Sequence, residues 1–296
     1  MATTFAASWR SDSGPDPRSA EGASPAATSA PARQRSEGRV RIAATAFGAV
    51  TRVSDLAEGG ALRVRVPRGG TGLEAVIVNT AGGVCCGDRF AIAASAGPGA
   101  HLTISTPAAE KVYRSDGPLA EINVDLVADE GARLEWLPQE TILFDRARLR
   151  RRYAVELAPS ASFLSFEALM LGRLAHGDAM GEGHVEDHWR ISRGGALVYA
   201  DAFRLSGPLA QVLARPTVAA GNRAMATLLF VAPEAESRLE EARGLLADIP
   251  CEAGASAWNG LLAVRWLAGD IATLRRAASS FLMAFRKAPL PRVWAT

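Results

Sequence analysis

The sequence predicts a mainly β protein with sandwich-like layers and a few helices, mostly C-terminal. Short β-rich runs, several of them alternating between apolar and polar residues, recur from residue 39 to residue 266 at intervals of about 8–12 residues. Turn residues, mainly Gly, Pro and Asp, separate these runs. Long helical repeats do not alternate with them, so a doubly wound α/β fold is not expected.

Length and composition indicate an ordinary globular protein. The chain has 296 residues, of which 48% are hydrophobic and 22% are charged. We expect a single β-rich domain over residues 38–296. The net charge of +2 gives no basic surplus for nucleic acid, and no run of about 18 apolar residues predicts a membrane span. Three cysteines fit a reducing compartment, so the predicted location is cytoplasmic.

The first part of the chain has a different composition. Residues 1–37 are rich in Ala, Ser, Pro and Gly, with charges of both signs. Such a segment buries too little apolar surface to offset the entropy of ordering it. We therefore predict a disordered tail over residues 1–37. It lacks the continuous apolar stretch of a secretory signal.

Alternation of apolar and polar residues supports the strand predictions, because successive side chains of a strand face opposite sides. It is clearest in residues 62–66 and 122–126. The predicted strands, in chain order, are residues 40–42, 62–66, 76–78, 102–104, 122–127 and 153–157.

Two helices are predicted near the C-terminus. Pro233 precedes a segment with acidic residues at its start, which is typical of a helix N-terminus. Asp270 is a predicted N-cap for a longer helix, which should end before Pro289. Apolar residues recur at helical spacing between them, so we expect this face to pack on the sheet core. The alternative is that part of it meets a partner protein.

Common enzyme motifs are missing: the sequence has no nucleophile elbow, phosphate loop or zinc-protease helix motif. The nearest metal-like string is His184-Val185-Glu186-Asp187-His188. Its surroundings predict a strand, on which His184 and His188 would lie about 13 Å apart, too far to share one ion. Cys85 and Cys86 are adjacent, and we expect a pair of small buried residues.

Two acidic residues stand out because apolar residues surround them. Glu140 and Glu167 each lie within a largely apolar run. A carboxylate in such a place is costly unless it meets a cation, a hydrogen-bond donor or water. These two residues are therefore candidates for a buried polar site.

Several short motifs occur in the same order as in the urease accessory protein D family, also called H, and together they give the sequence a specific resemblance to that family. The resemblance covers roughly residues 39–296. Two departures are the Cys85–Cys86 pair and the long N-terminal tail. The matching strings are residues 79–83 (Asn-Thr-Ala-Gly-Gly) with 87–89 (Gly-Asp-Arg), 106–115 (Thr-Pro-Ala-Ala-Glu-Lys-Val-Tyr-Arg-Ser), 134–140 (Leu-Glu-Trp-Leu-Pro-Gln-Glu) with Phe144-Asp145, Gly172-Arg173 with Gly181-Glu182, and 290–294 (Leu-Pro-Arg-Val-Trp).

The resemblance implies a non-enzymatic urease maturation factor. It also implies a fold of two packed mixed β-sheets, in sandwich-like or β-helical layers, with a few helices. Members of this family bind a UreF-type accessory protein, which docks a UreG-type GTPase that carries nickel, and the assembly engages apo-urease. The family is thought to offer nickel an internal, water-filled route to the urease active site. The implied cargo is transient nickel, with no permanently bound cofactor.

Oxygen ligands suit such a route, because they hold a divalent ion more loosely than thiolate or imidazole clusters do, and transit needs weak binding at several sites. Lys111 and Arg173 are candidates to neutralise some of the acids. Two alternatives stay open: a metal-dependent hydrolase that uses His184 and His188, and a purely structural interaction module. The predicted nickel-transit carboxylates are Asp88, Glu140, Asp145, Glu167 and Glu182.

Overall fold

The computed structural model describes residues 35–68, 72–172 and 180–294. The first nine strands are β1 (Glu37–Phe47), β2 (Val50–Gly60), β3 (Leu62–Arg65), β4 (Leu73–Asn79), β5 (Arg89–Ala96), β6 (His101–Ser105), β7 (Glu110–Val112), β8 (Ala120–Ala128) and β9 (Arg133–Leu137). The next eight are β10 (Thr141–Leu143), β11 (Arg148–Leu157), β12 (Ser162–Leu171), β13 (Gly183–Arg193), β14 (Ala196–Gly207), β15 (Ala224–Val231), β16 (Glu252–Trp258) and β17 (Leu261–Ala268). The α-helices are α1 (Leu209–Ala214), α2 (Leu239–Leu245) and α3 (Ile271–Arg286).

The strands form two mixed sheets. Sheet A has the order β14-β13-β11-β8-β5-β1-β2, and sheet B has the order β16-β17-β15-β12-β9-β6-β4-β3, with β10 paired to β12 and β7 paired to β10. From β5 to β13 the main strands alternate between the sheets, and within each sheet these strands pair with one another in parallel. The chain therefore winds in β-helical coils, each of which adds one strand to each sheet. The predicted mainly β fold with two packed mixed sheets is confirmed.

Two apolar cores lie on the two faces of sheet B. The first core is between the sheets and includes the fully buried Ile42 and Leu149 of sheet A and Leu102 of sheet B. The second core lies between sheet B and the helices and contains Phe281 and Phe285 of α3. Each large apolar side chain that is fully buried stabilises the fold by about 1.5–3 kcal/mol. Sheet A, sheet B and the helices α2 and α3 thus form three layers.

Strand β12 lies at the centre of these layers and is buried on both faces. Phe163 and Leu171 belong to the core between the sheets, whereas Phe166 and Met170 belong to the core beneath the helices. This two-sided burial explains why its sequence is an almost continuous apolar run. Glu167 is the acidic residue of this strand, and its exposed fraction is 9%.

The predicted C-terminal helix is confirmed as α3. The Asp270 side chain caps it by accepting a hydrogen bond from the Thr273 amide at 2.8 Å. Its buried face, including Leu274, packs on sheet B as expected. The other predicted helix begins later than Pro233, because a 3-10 turn, Glu236–Arg238, precedes α2. The short α1 was not predicted.

A buried ion pair fixes α3 to sheet B. Arg286 at the end of α3 donates to both carboxylate oxygens of Glu135 in β9, at 3.1 and 2.7 Å. Thr103 and Arg133 also donate to this carboxylate, at 2.8 and 2.6 Å. Burial alone would raise the pKa of Glu135, but the His101 imidazole 3.6 Å away, the hydrogen bonds from Arg286 and the charges of Arg286 and Arg133 hold it well below its usual range.

Among the helices that the structure describes, none is long and apolar enough to cross a membrane. The described chain begins at Arg35, and β1 begins at Glu37. The tail predicted for residues 1–37 therefore lies almost wholly outside the described residues.

Replacing Arg286 by Ala should lower the free energy of unfolding by about 3 kcal/mol, because it leaves Glu135 as a buried charge with fewer donors. Urea unfolding followed by tryptophan fluorescence measures the change. Arg276→Ala, on the exposed side of the same helix, is the matched control and should change stability by less than about 0.5 kcal/mol. Equal losses in the two variants would contradict the structural role of the ion pair.

Candidate functional site

A buried polar cluster joins the two sheets. Arg151 of β11 donates two hydrogen bonds to Asp187 of β13, at 2.7 and 2.5 Å. The third guanidinium nitrogen, Nη1, donates to Glu167 of β12 at 2.7 Å and to Thr141 at 3.1 Å. Arg151 and Asp187 belong to sheet A and Glu167 to sheet B, so the guanidinium bridges the sheets inside the protein.

Aromatic side chains complete the surroundings of Glu167. The Trp136 indole and the Tyr153 hydroxyl donate to one oxygen of Glu167, at 2.6 and 2.8 Å. The ring of Tyr153 stacks on Trp189, with centroids 3.9 Å apart. Both oxygens of Glu167 therefore accept hydrogen bonds within an otherwise apolar core, which meets the requirement for a buried carboxylate.

The cluster of Arg151, Glu167 and Asp187 has an excess of negative charge. Burial alone would lower the pKa of Arg151, but the carboxylates of Asp187 and Glu167 outweigh burial and raise it well above its ordinary value. The guanidinium is thus a fixed positive charge facing two carboxylates. When both carboxylates are ionised, the cluster has a net charge of −1.

Two cavities meet at this cluster, and both are lined by Arg151 and Glu167. The larger has a volume of about 650 Å³ and is also lined by Asp187 and Asp201. The smaller has a volume of about 260 Å³ and is also lined by Glu110. The cluster therefore lies in a shared wall, with space on both sides of it.

The carboxylate of Glu110 was not among the predicted site residues. Asn79 donates to both its oxygens, at 3.3 and 3.2 Å, and also to the Gly83 carbonyl at 3.0 Å. Burial raises the pKa of Glu110 to about 7, although the hydrogen bond from Asn79 opposes the shift. The Asn79–Gly83 string thus forms a turn against Glu110, and the ring of Tyr113 leaves no room for a side chain at Gly83.

Asp88, the first predicted transit carboxylate, lies in a turn. Its two oxygens accept hydrogen bonds from the backbone amides of Ser36 and Cys85, at 2.8 and 2.7 Å. Cys86 in the same turn is buried, but Cys85 is exposed. The prediction that both cysteines are buried is therefore wrong for Cys85, because the two residues belong to a turn whose surface side Cys85 occupies.

The other predicted carboxylates lie apart from the two cavities. Glu140 faces Arg275 of α3, with nitrogen and oxygen 3.5 Å apart. Asp145 accepts hydrogen bonds from the amides of Gly181 and Glu182, at 2.8 and 3.1 Å. The Glu182 side chain is 69% exposed. Of the five predicted residues, the structure thus brings only Glu167 to the walls of these two cavities.

Two cationic residues were predicted to neutralise the acids. Lys111 is exposed and lines the smaller cavity. Arg173 lies outside the described residues.

His184 and His188 lie on strand β13, as predicted, and both contact Glu186. Their Nε2 atoms are 2.9 and 3.6 Å from its two oxygens. Arg150 and Arg204 contact the same carboxylate, at 2.8 and 3.4 Å, so positive groups already surround it. The hydrogen bond from Arg150 is the main cause that lowers the pKa of Glu186 to about 2.

No group of three or more His, Cys, Asp or Glu side chains is arranged to hold a metal ion within residues 35–68, 72–172 and 180–294. The charged residues that do meet, Arg151, Glu167 and Asp187, could have been found from strand phase. Arg151 is in phase with Leu149 and Tyr153, both of which are buried. A charged residue at an inward position of a strand therefore signals a buried polar site.

Comparison with known proteins gives consistent matches. Residues 36–295 match a family described as "UreD urease accessory protein". A protein named "Urease accessory protein UreD" from Xanthobacter autotrophicus is 74% identical over 294 residues, which cover 99% of this chain and 100% of that protein. Proteins of the same name from Azorhizobium caulinodans and Bradyrhizobium diazoefficiens are 62% and 48% identical, over 90% and 88% of this chain and 98% and 94% of their own lengths. The family match begins at residue 36, so the N-terminal tail lies outside it, as expected, although the Xanthobacter relative matches over nearly all of that segment.

Replacing Arg151 by Met should lower the free energy of unfolding by about 3–5 kcal/mol, because Glu167 and Asp187 lose their buried counter-ion. Chemical denaturation measures this loss. The neighbouring Arg152 is exposed, so Arg152→Met is a matched control that should change stability by less than about 0.5 kcal/mol. A stable Arg151→Met protein would contradict the bridging role of the guanidinium.

Glu110 should make stability fall as pH rises. Its folded pKa of about 7 lies above the ordinary value of 4.5, so its contribution is full below pH 4.5 and is lost as pH rises to about 7. The loss is at most about 3 kcal/mol, from 1.36 kcal/mol per pKa unit. The difference in unfolding free energy between Glu110→Gln and wild type should therefore shift in favour of the variant between these pH values. A difference that does not vary with pH would contradict the raised pKa.

Proposed function

This chain belongs to the UreD urease accessory protein family, and from that premise we propose that it delivers nickel to apo-urease without catalysing a reaction. Membership of the family supports a role in urease maturation. These relatives are named as accessory proteins, and that name favours a protein that assists another protein over a metal-dependent hydrolase. The surroundings of His184 and His188 also favour this choice, because two arginines occupy the carboxylate between them.

The proposed protein partners are those of a delivery assembly in the cytoplasm. The chain bridges apo-urease and a UreF-type accessory protein, which docks the UreG-type GTPase that supplies nickel. The ion is cargo and does not remain in this protein. The name shared by the relatives supports urease machinery as the setting.

The observation that carries the proposed route is the position of Glu167 on the walls of both cavities. A divalent cation is attracted to the excess negative charge of Glu167, Asp187 and Arg151. The fixed guanidinium keeps this attraction moderate, and carboxylate oxygens hold the ion loosely. An ion can then leave as readily as it enters, which transit requires. Glu110 and Asp201 supply further oxygen atoms in the smaller and larger cavity.

The transit role of Asp88, Glu140, Asp145 and Glu182 stays a prediction. Asp88 is held by two backbone amides, and Glu140 faces Arg275. An ion that used any of the five carboxylates, Glu167 included, would have to compete with the groups that they already contact. The proposal gives the central step to Glu167 because, of the five, it alone lines the two cavities.

Glu167→Gln should reduce the nickel content of urease several-fold, because it removes a negative charge from the shared wall while keeping the size of the side chain. The experiment co-expresses the variant with the UreF-type and UreG-type proteins and apo-urease, and counts nickel per purified urease. Glu240→Gln is the matched control, since the Glu240 side chain is exposed on α2. Size-exclusion chromatography checks that the complex still forms.

Full nickel loading by Glu167→Gln, with the complex intact, would contradict the proposed route. Loss of loading only in Glu140→Gln or Glu182→Gln would move the route to those residues. Activity of the purified chain alone with a stoichiometric metal ion would instead support the hydrolase.

A further inference from the structure

The outer face of sheet A is rich in arginine. In β11 and β13, Arg150 lies opposite Glu186, Arg152 opposite His188, and Ala154 opposite Arg190. These side chains alternate with buried neighbours, so they share the solvent side of the sheet. The register between the strands therefore fixes which of these residues are neighbours on the face.

On the outer face of β11 and β13, arginines outnumber carboxylates. Arg150 and Arg204 both contact Glu186, so one carboxylate meets two guanidinium groups. The other contact of Arg150 is with Glu121, at 3.5 Å. His184 and His188 flank Glu186 and add further positive charge when protonated.

Arg152 and Arg190 increase this excess. Both side chains are exposed, and neither forms an ion pair with any carboxylate in the described part of the chain. They lie on adjacent strands, two residues apart in register, because Arg152 pairs with His188 and Arg190 with Ala154. Two neighbouring guanidinium groups without counter-ions repel each other, and an acidic partner would relieve that repulsion.

We infer that the outer face of β11 and β13, centred on Arg152 and Arg190, docks an acidic surface of apo-urease. This inference rests on the proposed function and adds the surface by which the chain engages its target. Arginine is enriched in protein interfaces, and its planar guanidinium binds carboxylates through paired hydrogen bonds.

A protein surface fits the face better than nucleic acid does. Glu121, Asp125 and Glu156 lie on the same side of the sheet, among or beside the arginines. These carboxylates would repel a continuous phosphate backbone, whereas a protein surface can place its acidic groups opposite the arginines alone. The whole chain also has a net charge of only +2.

The test compares two double variants with the same change in charge. Arg152→Glu/Arg190→Glu reverses the charge at the proposed contact, and Arg39→Glu/Arg65→Glu reverses two exposed arginines on β1 and β3. Each is purified as the full chain with its UreF-type partner and titrated against apo-urease by biolayer interferometry at low and high salt. The first variant should bind about tenfold or more weakly and with less salt dependence than wild type, and the second should bind nearly as wild type. Thermal unfolding checks that each folds.

If the charge-reversed protein is unfolded, Arg152→Gln/Arg190→Gln replaces it and should give a smaller loss of the same kind. Equal binding by wild type and the Arg152/Arg190 variant would overturn the docking surface alone, since Glu167→Gln tests the route separately. Equal weakening by both charge-reversed pairs would also overturn it, because the effect would then be one of net charge. A wild-type chain that fails to bind apo-urease, or that prefers duplex nucleic acid, would overturn both this inference and the proposed function.

Discussion

A buried guanidinium that requires carboxylates from both sheets is the constraint on which this structure depends. Arg151 is almost wholly removed from water, so it must find acceptors within the protein. Asp187 supplies them from the neighbouring strand of sheet A and Glu167 from sheet B. Because a slip of one residue in any of these strands would turn its side chain to the opposite face, the cluster specifies the register of three strands and the alignment of the two sheets.

The same cluster explains why the interior is not filled by apolar side chains. Charged groups interrupt the core between the sheets, and the two cavities lie on either side of them. Two carboxylates against one guanidinium leave negative charge in the shared wall, which suits a passing cation. The outer face of β11 and β13 has the opposite sign of charge, because arginines there outnumber carboxylates. Period-two alternation thus gives one strand, β11, an inward Arg151 at the cavities and an outward Arg152 at the proposed docking surface.

Part of the candidate site was predictable. Glu167 stood out because an acidic residue within an apolar run must have a partner, and the structure supplies three donors for it. The same reasoning selected Glu140, whose partner is Arg275 of α3 rather than a cavity group. Arg151 and Asp187 were missed because each lies within a run of charged residues, where the inward one is recognised only by its phase with buried neighbours. Glu110 had no signal of burial, because it follows two alanines in a segment without clear alternation.

The sequence by itself determined the class of fold, the position of the long C-terminal helix and its Asp270 cap, because alternation and capping depend on residues close together along the chain. The strings that resemble the UreD family also led to the right family. Only the tertiary structure decided which charges meet: Arg151 lies 16 residues from Glu167 and 36 from Asp187. Arg286 lies 151 residues from Glu135. The β-helical coils differ in length, and their stacking brings these residues into contact. No local feature of the sequence sets the register between coils.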